Sequence, residues 1–173
     1  PSENKTTVVE MEHYALEADY EYISVPKVVS DAFLTANIPN WEQYNLLEGE
    51  ANVFFENTFV GKTILDTRYT SDTLNVSLGR DRNVQVKREK AKDYKQTRFR
   101  NNKSQAISMT ILDQIPVSTL SEIEVTPEEL SGGILNKEDG EVKWDLNLAP
   151  SQRQELNLKY KVRYPKGKTL TVE

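Results

Sequence analysis

A chain of 173 residues fits one domain or two small β-modules, and area scaling lets a chain of this size bury about 70% of its unfolded surface. It has no Cys and one His, which excludes disulfides, thiolate zinc sites, a cysteine nucleophile and any site needing two imidazoles. Its 22 basic and 27 acidic residues leave a net charge of −5, which argues against nucleic-acid affinity, and no apolar run approaches the roughly 20 residues of a membrane span.

The chain opens on Pro1 and its first Met is Met11. No signal peptide is visible, and the chain is expected to begin inside a longer gene product. The 15 Val, 8 Ile and 14 Thr outnumber the 8 Ala. β-branched side chains lose rotamer freedom in helices and fit pleated sheets. Period-2 alternation then marks the strands. Tyr14, Leu16, Ala18, Tyr20 and Tyr22 alternate with Glu17, Asp19 and Glu21. Trp41–Leu47 suits a helical turn. Ala51, Val53 and Phe55 make a short strand that turns at Glu56-Asn57 into Phe59–Leu65. Leu74, Val76 and Leu78 follow, then Val84 and Val86, then Ile107, Met109 and Ile111.

Ile123 and Val125 form a brief strand before Thr126-Pro127-Glu128-Glu129, which has the cap, the N1 proline and the N3 glutamate of a helix start. Ser131-Gly132-Gly133 predicts that this helix stops after about one turn, as a turn or a 3₁₀ piece. The strongest alternation closes the chain. Val142, Trp144, Leu146 and Leu148 share one face. After a turn at Ala149-Pro150-Ser151-Gln152, Leu156, Leu158, Tyr160, Val162 and Tyr164 continue it. This reads as an antiparallel hairpin whose inward core includes Trp144, Leu146, Leu158, Tyr160 and Val162. The predicted fold is an all-β antiparallel sandwich with an immunoglobulin-like C-terminal half and almost no helix.

Charge divides the chain. Residues 1–86 hold 6 basic and 14 acidic residues, a net −8, and residues 87–173 hold 16 and 13, a net +3. The excess sits in eight cations: Lys87, Arg88, Lys90, Lys92, Lys95, Arg98, Arg100 and Lys103. Residues 1–89 are therefore expected to be an N-terminal β-half, 90–104 a basic connection and 105–173 a C-terminal sandwich half. The acidic face of Glu10, Glu12, Glu17, Asp19 and Glu21 would pair with Lys159, Lys161 and Arg163 if those strands are neighbours.

Several segments together resemble the mucoidy inhibitor A family. They are Tyr22-Ile23-Ser24-Val25-Pro26-Lys27 with Ala32-Phe33-Leu34-Thr35-Ala36, Asn45-Leu46-Leu47-Glu48-Gly49-Glu50-Ala51 running into Phe59-Val60-Gly61-Lys62, and the turn Leu78-Gly79-Arg80-Asp81. Asp113-Gln114-Ile115-Pro116-Val117-Ser118, Gly140-Glu141-Val142-Lys143-Trp144 and Tyr160-Lys161-Val162-Arg163-Tyr164-Pro165 complete them. The resemblance implies a C-terminal all-β domain of unknown function, in a bacterial protein that is periplasmic, cell-surface or secreted. It supplies no catalytic residues. Against the family the stretch Lys92–Arg100 is short, which predicts that a segment is absent between Lys90 and Asn101.

The chemistry-bearing residues point away from catalysis. His13, the one imidazole, lies between Glu12 and Tyr14 with no exposed elbow near it. Gly79-Arg80-Asp81-Arg82-Asn83 is too poor in ligands for calcium and reads as a strand-linking turn. No phosphate loop or dinucleotide fingerprint occurs. The residues thus predict a non-enzymatic binding or structural module with no metal, no cofactor and no nucleic acid. Its partners would be other domains of its own protein or envelope glycans. One alternative is a polyanion- or polysaccharide-binding domain that uses the eight cations. Another is a carbohydrate-active enzyme with a carboxylate pair about 5–10 Å apart.

Overall fold

A computed structural model describes residues 12–55, 57–65, 72–91 and 94–166. In chain order the elements are β1 (Asp19–Ser24), β2 (Phe33–Pro39), a 3₁₀ turn at Trp41–Tyr44, β3 (Gly49–Phe55), β4 (Thr58–Leu65), β5 (Thr73–Arg80) and β6 (Val84–Lys90). They continue with β7 (Lys95–Asn101), β8 (Ile107–Gln114), β9 (Glu124–Glu129), β10 (Ile134–Leu135), β11 (Glu141–Leu148) and β12 (Arg153–Arg163). One sheet has the order β10-β11-β8-β1-β2-β5 and a second the order β6-β7-β12-β9. β3 and β4 form a separate ribbon that touches β5.

The alternation read from the sequence holds best in the strands that bury one face in the core, above all β7, β8 and β11. Tyr22, Leu34, Met109, Ile111, Val142, Trp144 and Leu148 come from the first sheet. Val84, Phe99, Leu156 and Leu158 come from the second, and the two sets merge into one core. Leu146, Tyr160 and Val162 are half-buried at its margin. All pairings are antiparallel except β1 with β8, which run parallel with Tyr22 opposite Met109.

Three expectations give way. The closing hairpin is not formed: β11 pairs with β8 and β10, whereas β12 pairs with β7 and β9. Ala149–Gln152 carries the chain from one sheet to the other. Facing strands of a sandwich show the same in–out alternation as paired strands of a hairpin, so the pattern serves both. Thr126–Glu129 is not a helix start but part of β9. This is an edge strand, and Pro127 sits opposite Tyr160 beside a register shift in β12, where an edge tolerates a residue without an N–H. The cations of β12 do not face the acidic β1, which lies in the other sheet. Lys159 instead pairs with Glu128 at 2.9 Å across to β9.

The basic stretch 90–104 contains a strand. β7 pairs with β6 from Val84↔Asn101 to Lys90↔Lys95, and the Ala91 N–H donates to Tyr94 O at 2.9 Å. Within the large sheet the strands from 105–173 and those from 1–89 meet side by side at β8 and β1, and the two β-halves share one core.

Candidate functional site

Because β6 and β7 are paired strands, the cations of this stretch are dealt to two faces. Lys87, Arg98 and Arg100 point outward, and Arg88, Lys90 and Lys95 take the opposite side. Lys92 lies outside the described residues, and Lys103 follows β7 at one end of the sandwich.

Two of the eight join the sheets. The Arg88 guanidinium donates from Nε to Asp113 Oδ2 at 2.8 Å and from Nη2 to Oδ1 at 3.0 Å. Both side chains are largely buried, at 17% and 4% exposure. This bidentate pair bridges β6 to β8. Nearby, burial together with the charges of Arg88 and Lys90 holds the Lys95 ammonium below its ordinary value. Burial raises the Tyr160 phenol, with Arg88 opposing and Asp113 adding to the shift.

At the other end, Lys103 Nζ donates to Asp81 Oδ2 at 2.8 Å and to the Tyr22 hydroxyl at 3.0 Å. Tyr22 donates its own proton to Asp81 Oδ2 at 2.7 Å. Asp81 Oδ1 takes the Asn83 N–H at 2.9 Å, so the turn read from Gly79–Asn83 closes on its own aspartate. Burial works against the charged forms of both Asp81 and Lys103. The hydrogen bonds outweigh it, lowering the Asp81 carboxyl and raising the Lys103 ammonium. Beside them Asn101, fully buried, donates through Nδ2 to Gln105 O at 2.8 Å and to Leu148 O and Ala149 O at 3.1 Å. It fixes the corner where the chain changes sheet. No local sequence signal marked these three clusters, because each joins residues far apart in the chain.

The sandwich has an opening along each side. Between edge strands β9 and β10 lies a cleft of about 470 Å³, walled by Ile115, Val117, Ile123, Val125 and Leu135. Between β5 and β6 a groove of about 580 Å³ is lined by Asp31, Arg80, Arg82, Gln85 and Lys87. A smaller pocket of about 230 Å³ is lined by the carboxylates Asp113, Asp139 and Glu141. Asp113 there is held by Arg88, and Asp139 accepts from the Glu141 N–H at 2.9 Å and from Asn136 at 3.0 Å. His13 is exposed ahead of β1. Among the described residues no three His, Asp or Glu side chains gather to hold a metal, and no helix is long and apolar enough to cross a membrane.

The third surface is the β3–β4 ribbon. Its outward face pairs Phe54 with Phe59 and Glu50 with Ile64. The two phenyl rings meet edge to face, with centroids 5.5 Å apart.

The family model "Domain of unknown function (DUF4139)" matches residues 1–166. "Protein F37C4.5" of Caenorhabditis elegans is 27% identical over 193 residues, which cover 95% of this chain and 35% of that protein. The chain thus spans about a third of the length of the curated relative it matches. No solved structure matches.

Proposed function

The chain belongs to the DUF4139 family, a domain of unknown function, and from that premise we propose a non-catalytic β-sandwich module that binds and assembles with other parts of its own protein. The observation that carries this reading is the ribbon. Phe54, Phe59 and Ile64 stand 64%, 51% and 75% exposed on its outward side. The Phe54–Phe59 ring pair, with Ile64 further along the same face, leaves large apolar side chains in water, which marks a contact surface. The relative is about three times as long as the matched region, which leaves room for such a partner in one polypeptide.

The buried charged groups support the non-catalytic part of the reading. Arg88, Asp113, Asp81 and Lys103 are each spent on tying strands together, in geometry that satisfies them. The finer assignment is also a proposal: a bacterial, extracytoplasmic module of the mucoidy inhibitor A-like type. It is supported by the order and spread of the short segments that resemble that family.

Hydrogen exchange tests the assembly. Amides of β3 and β4 should exchange more slowly in the full-length protein than in this domain alone. Equal exchange in both would remove the ribbon as the contact. Cell fractionation tests the location, and recovery of the full-length protein in the cytoplasm would overturn it.

A further inference from the structure

The outer face of the smaller sheet carries two arginines in register, beside a groove at its edge that holds two more. Arg153 of β12 lies directly opposite Arg100 of β7, and Arg100 directly opposite Gln85 of β6. Residues in register on neighbouring strands point to the same face, and all three are exposed. Gln85 also lines the groove between β5 and β6, where Arg80 and Arg82 stand. The row Arg153–Arg100–Gln85 runs perpendicular to the strands and ends at the groove that Arg82 and Arg80 line. Strand spacing of about 4.8 Å puts Arg153 and Gln85 roughly 10 Å apart.

The acids near this row are few and engaged. Asp31 meets Arg80 at 3.0 Å. Glu89 pairs with Lys87 at 2.6 Å and with Arg98 at 3.1 Å, and Glu155 pairs with Arg98 at 3.5 Å. Arg98 is thus neutralised in the next row by its own neighbours. Arg82, Arg100 and Arg153 have no ion pair among the described residues. Three forked, weakly hydrated guanidinium groups on one side of the molecule are suited to carboxylates or sulfates spaced along a chain.

The direction of the row selects the polymer. A peptide added to the free edge of β6 would run along that strand, and its side chains would not reach Arg100 and Arg153 on the next two strands. A single-stranded nucleic acid uses aromatic platforms for its bases, and the rows Gln85–Arg100–Arg153 and Lys87–Arg98–Glu155 hold none. We infer that this stripe binds a linear acidic polysaccharide, whose anionic groups are received by Arg153, Arg100 and Arg82. It shares only Arg100 with the eight-cation stretch that stood out in the sequence. It is also separate from the apolar ribbon, so the failure of either reading leaves the other standing.

The test is titration of the protein with polygalacturonate and with heparin oligosaccharides, alongside dextran, poly-glutamate and oligo-thymidylate. Both acidic sugars should bind at low salt and weaken as salt is raised. Dextran should not bind. Arg100→Gln/Arg153→Gln should reduce affinity about tenfold or more, as loss of charge-assisted hydrogen bonds does. Arg82→Gln should reduce it independently, and Lys143→Gln, on the outer face of the other sheet, should leave it unchanged. Absence of sugar binding at low salt would overturn the inference, and so would undiminished binding by the double variant. Equal or tighter binding of poly-glutamate or oligo-thymidylate would overturn the polysaccharide assignment.

Discussion

The two openings of the sandwich differ in what lines them and in what holds them. The cleft between β9 and β10 is lined by Ile115, Val117, Ile123, Val125 and Leu135, with Glu124 and Lys137 beside them. The chain crosses beneath it from one sheet to the other at Leu130–Gly133. There the Trp144 indole N–H donates to Leu130 O at 2.6 Å, and Ser131 Oγ accepts the Asn157 N–H at 2.8 Å. The groove between β5 and β6 sets Arg80, Arg82, Asp31 and Lys87 beside Val84 and Val86, and its neighbouring turn is held by Asp81, Tyr22 and Lys103. One side is thus closed by packing a ring and the other by polar bridging. Packing resists removal of volume, and bridging resists removal of a partner.

Substitutions ranked by expected effect break or sharpen that contrast. Trp144→Ala should cost about 3–5 kcal/mol in denaturant unfolding, because the indole is 4% exposed in the core. A fully folded variant with an unshifted midpoint would show that the apolar side is held by something else. Asp113→Ala, between the two sides, leaves Arg88 buried without its partner and should cost about 3 kcal/mol. The double change Arg88→Met/Asp113→Leu should recover most of that loss, and an additive double variant would deny that the two residues act as a pair.

Gly133→Ala returns to the apolar side. A Cβ there would sit 2.5 Å from Trp144 Nε1 and 2.6 Å from Val142 Cγ1. The ring cannot retreat without losing its bond to Leu130, so a loss of about 2 kcal/mol is expected. A neutral outcome would mean that the crossover can shift as a unit.

On the polar side, Asp81→Asn should cost about 1–2 kcal/mol at neutral pH. The folded Asp81 carboxyl titrates below its ordinary value. Its contribution is therefore present at neutral pH and is lost as acid carries the pH down through the folded value, below about 4. Lys103 is raised, so its contribution is complete below about pH 10 and is lost only in stronger base. The difference in thermal midpoint between the native protein and the Asp81→Asn variant should be flat from about pH 5 to 9 and shrink below about 4. A difference that grows in acid would reverse the assignment. The smallest effect belongs to the stripe: Arg100→Gln/Arg153→Gln should change stability by no more than about 0.5 kcal/mol, as exposed substitutions do.

What the residues disclosed and what they hid follow the same division. Burial of Val142, Trp144 and Leu148 was legible, because alternation reports which face is covered. Their pairing partners were not, because facing and paired strands alternate alike. β7 went unseen because Lys95, Arg98 and Arg100 dominate the reading of a strand that buries Thr97, Phe99 and Asn101. Thr126-Pro127-Glu128-Glu129 offered a local cap, and pairing with β12 overrode it. The eight cations looked like one patch because a list has no faces. Once paired, Lys87, Arg98 and Arg100 turn outward, Arg88 bridges to Asp113 and Lys103 to Asp81. Arg153, which lies opposite Arg100, comes from outside that stretch and could be joined to it only by register; Arg80 and Arg82 join through the groove at the edge of β6.

The parallel contact of β1 with β8 has a consequence for how the chain is made. Tyr22 and Met109 are neighbours in the sheet but 87 positions apart in the sequence, counting from 22 to 109. On a ribosome adding roughly 5–20 residues per second, β1 waits on the order of 4–17 s for its partner to be synthesised. During that interval Tyr22 and the strand edge beside it are uncovered. High separation between contacting strands also slows the search once the chain is complete. The domain is therefore expected to fold late and slowly, and nascent chains stalled before β8 should be the ones that holdase chaperones capture.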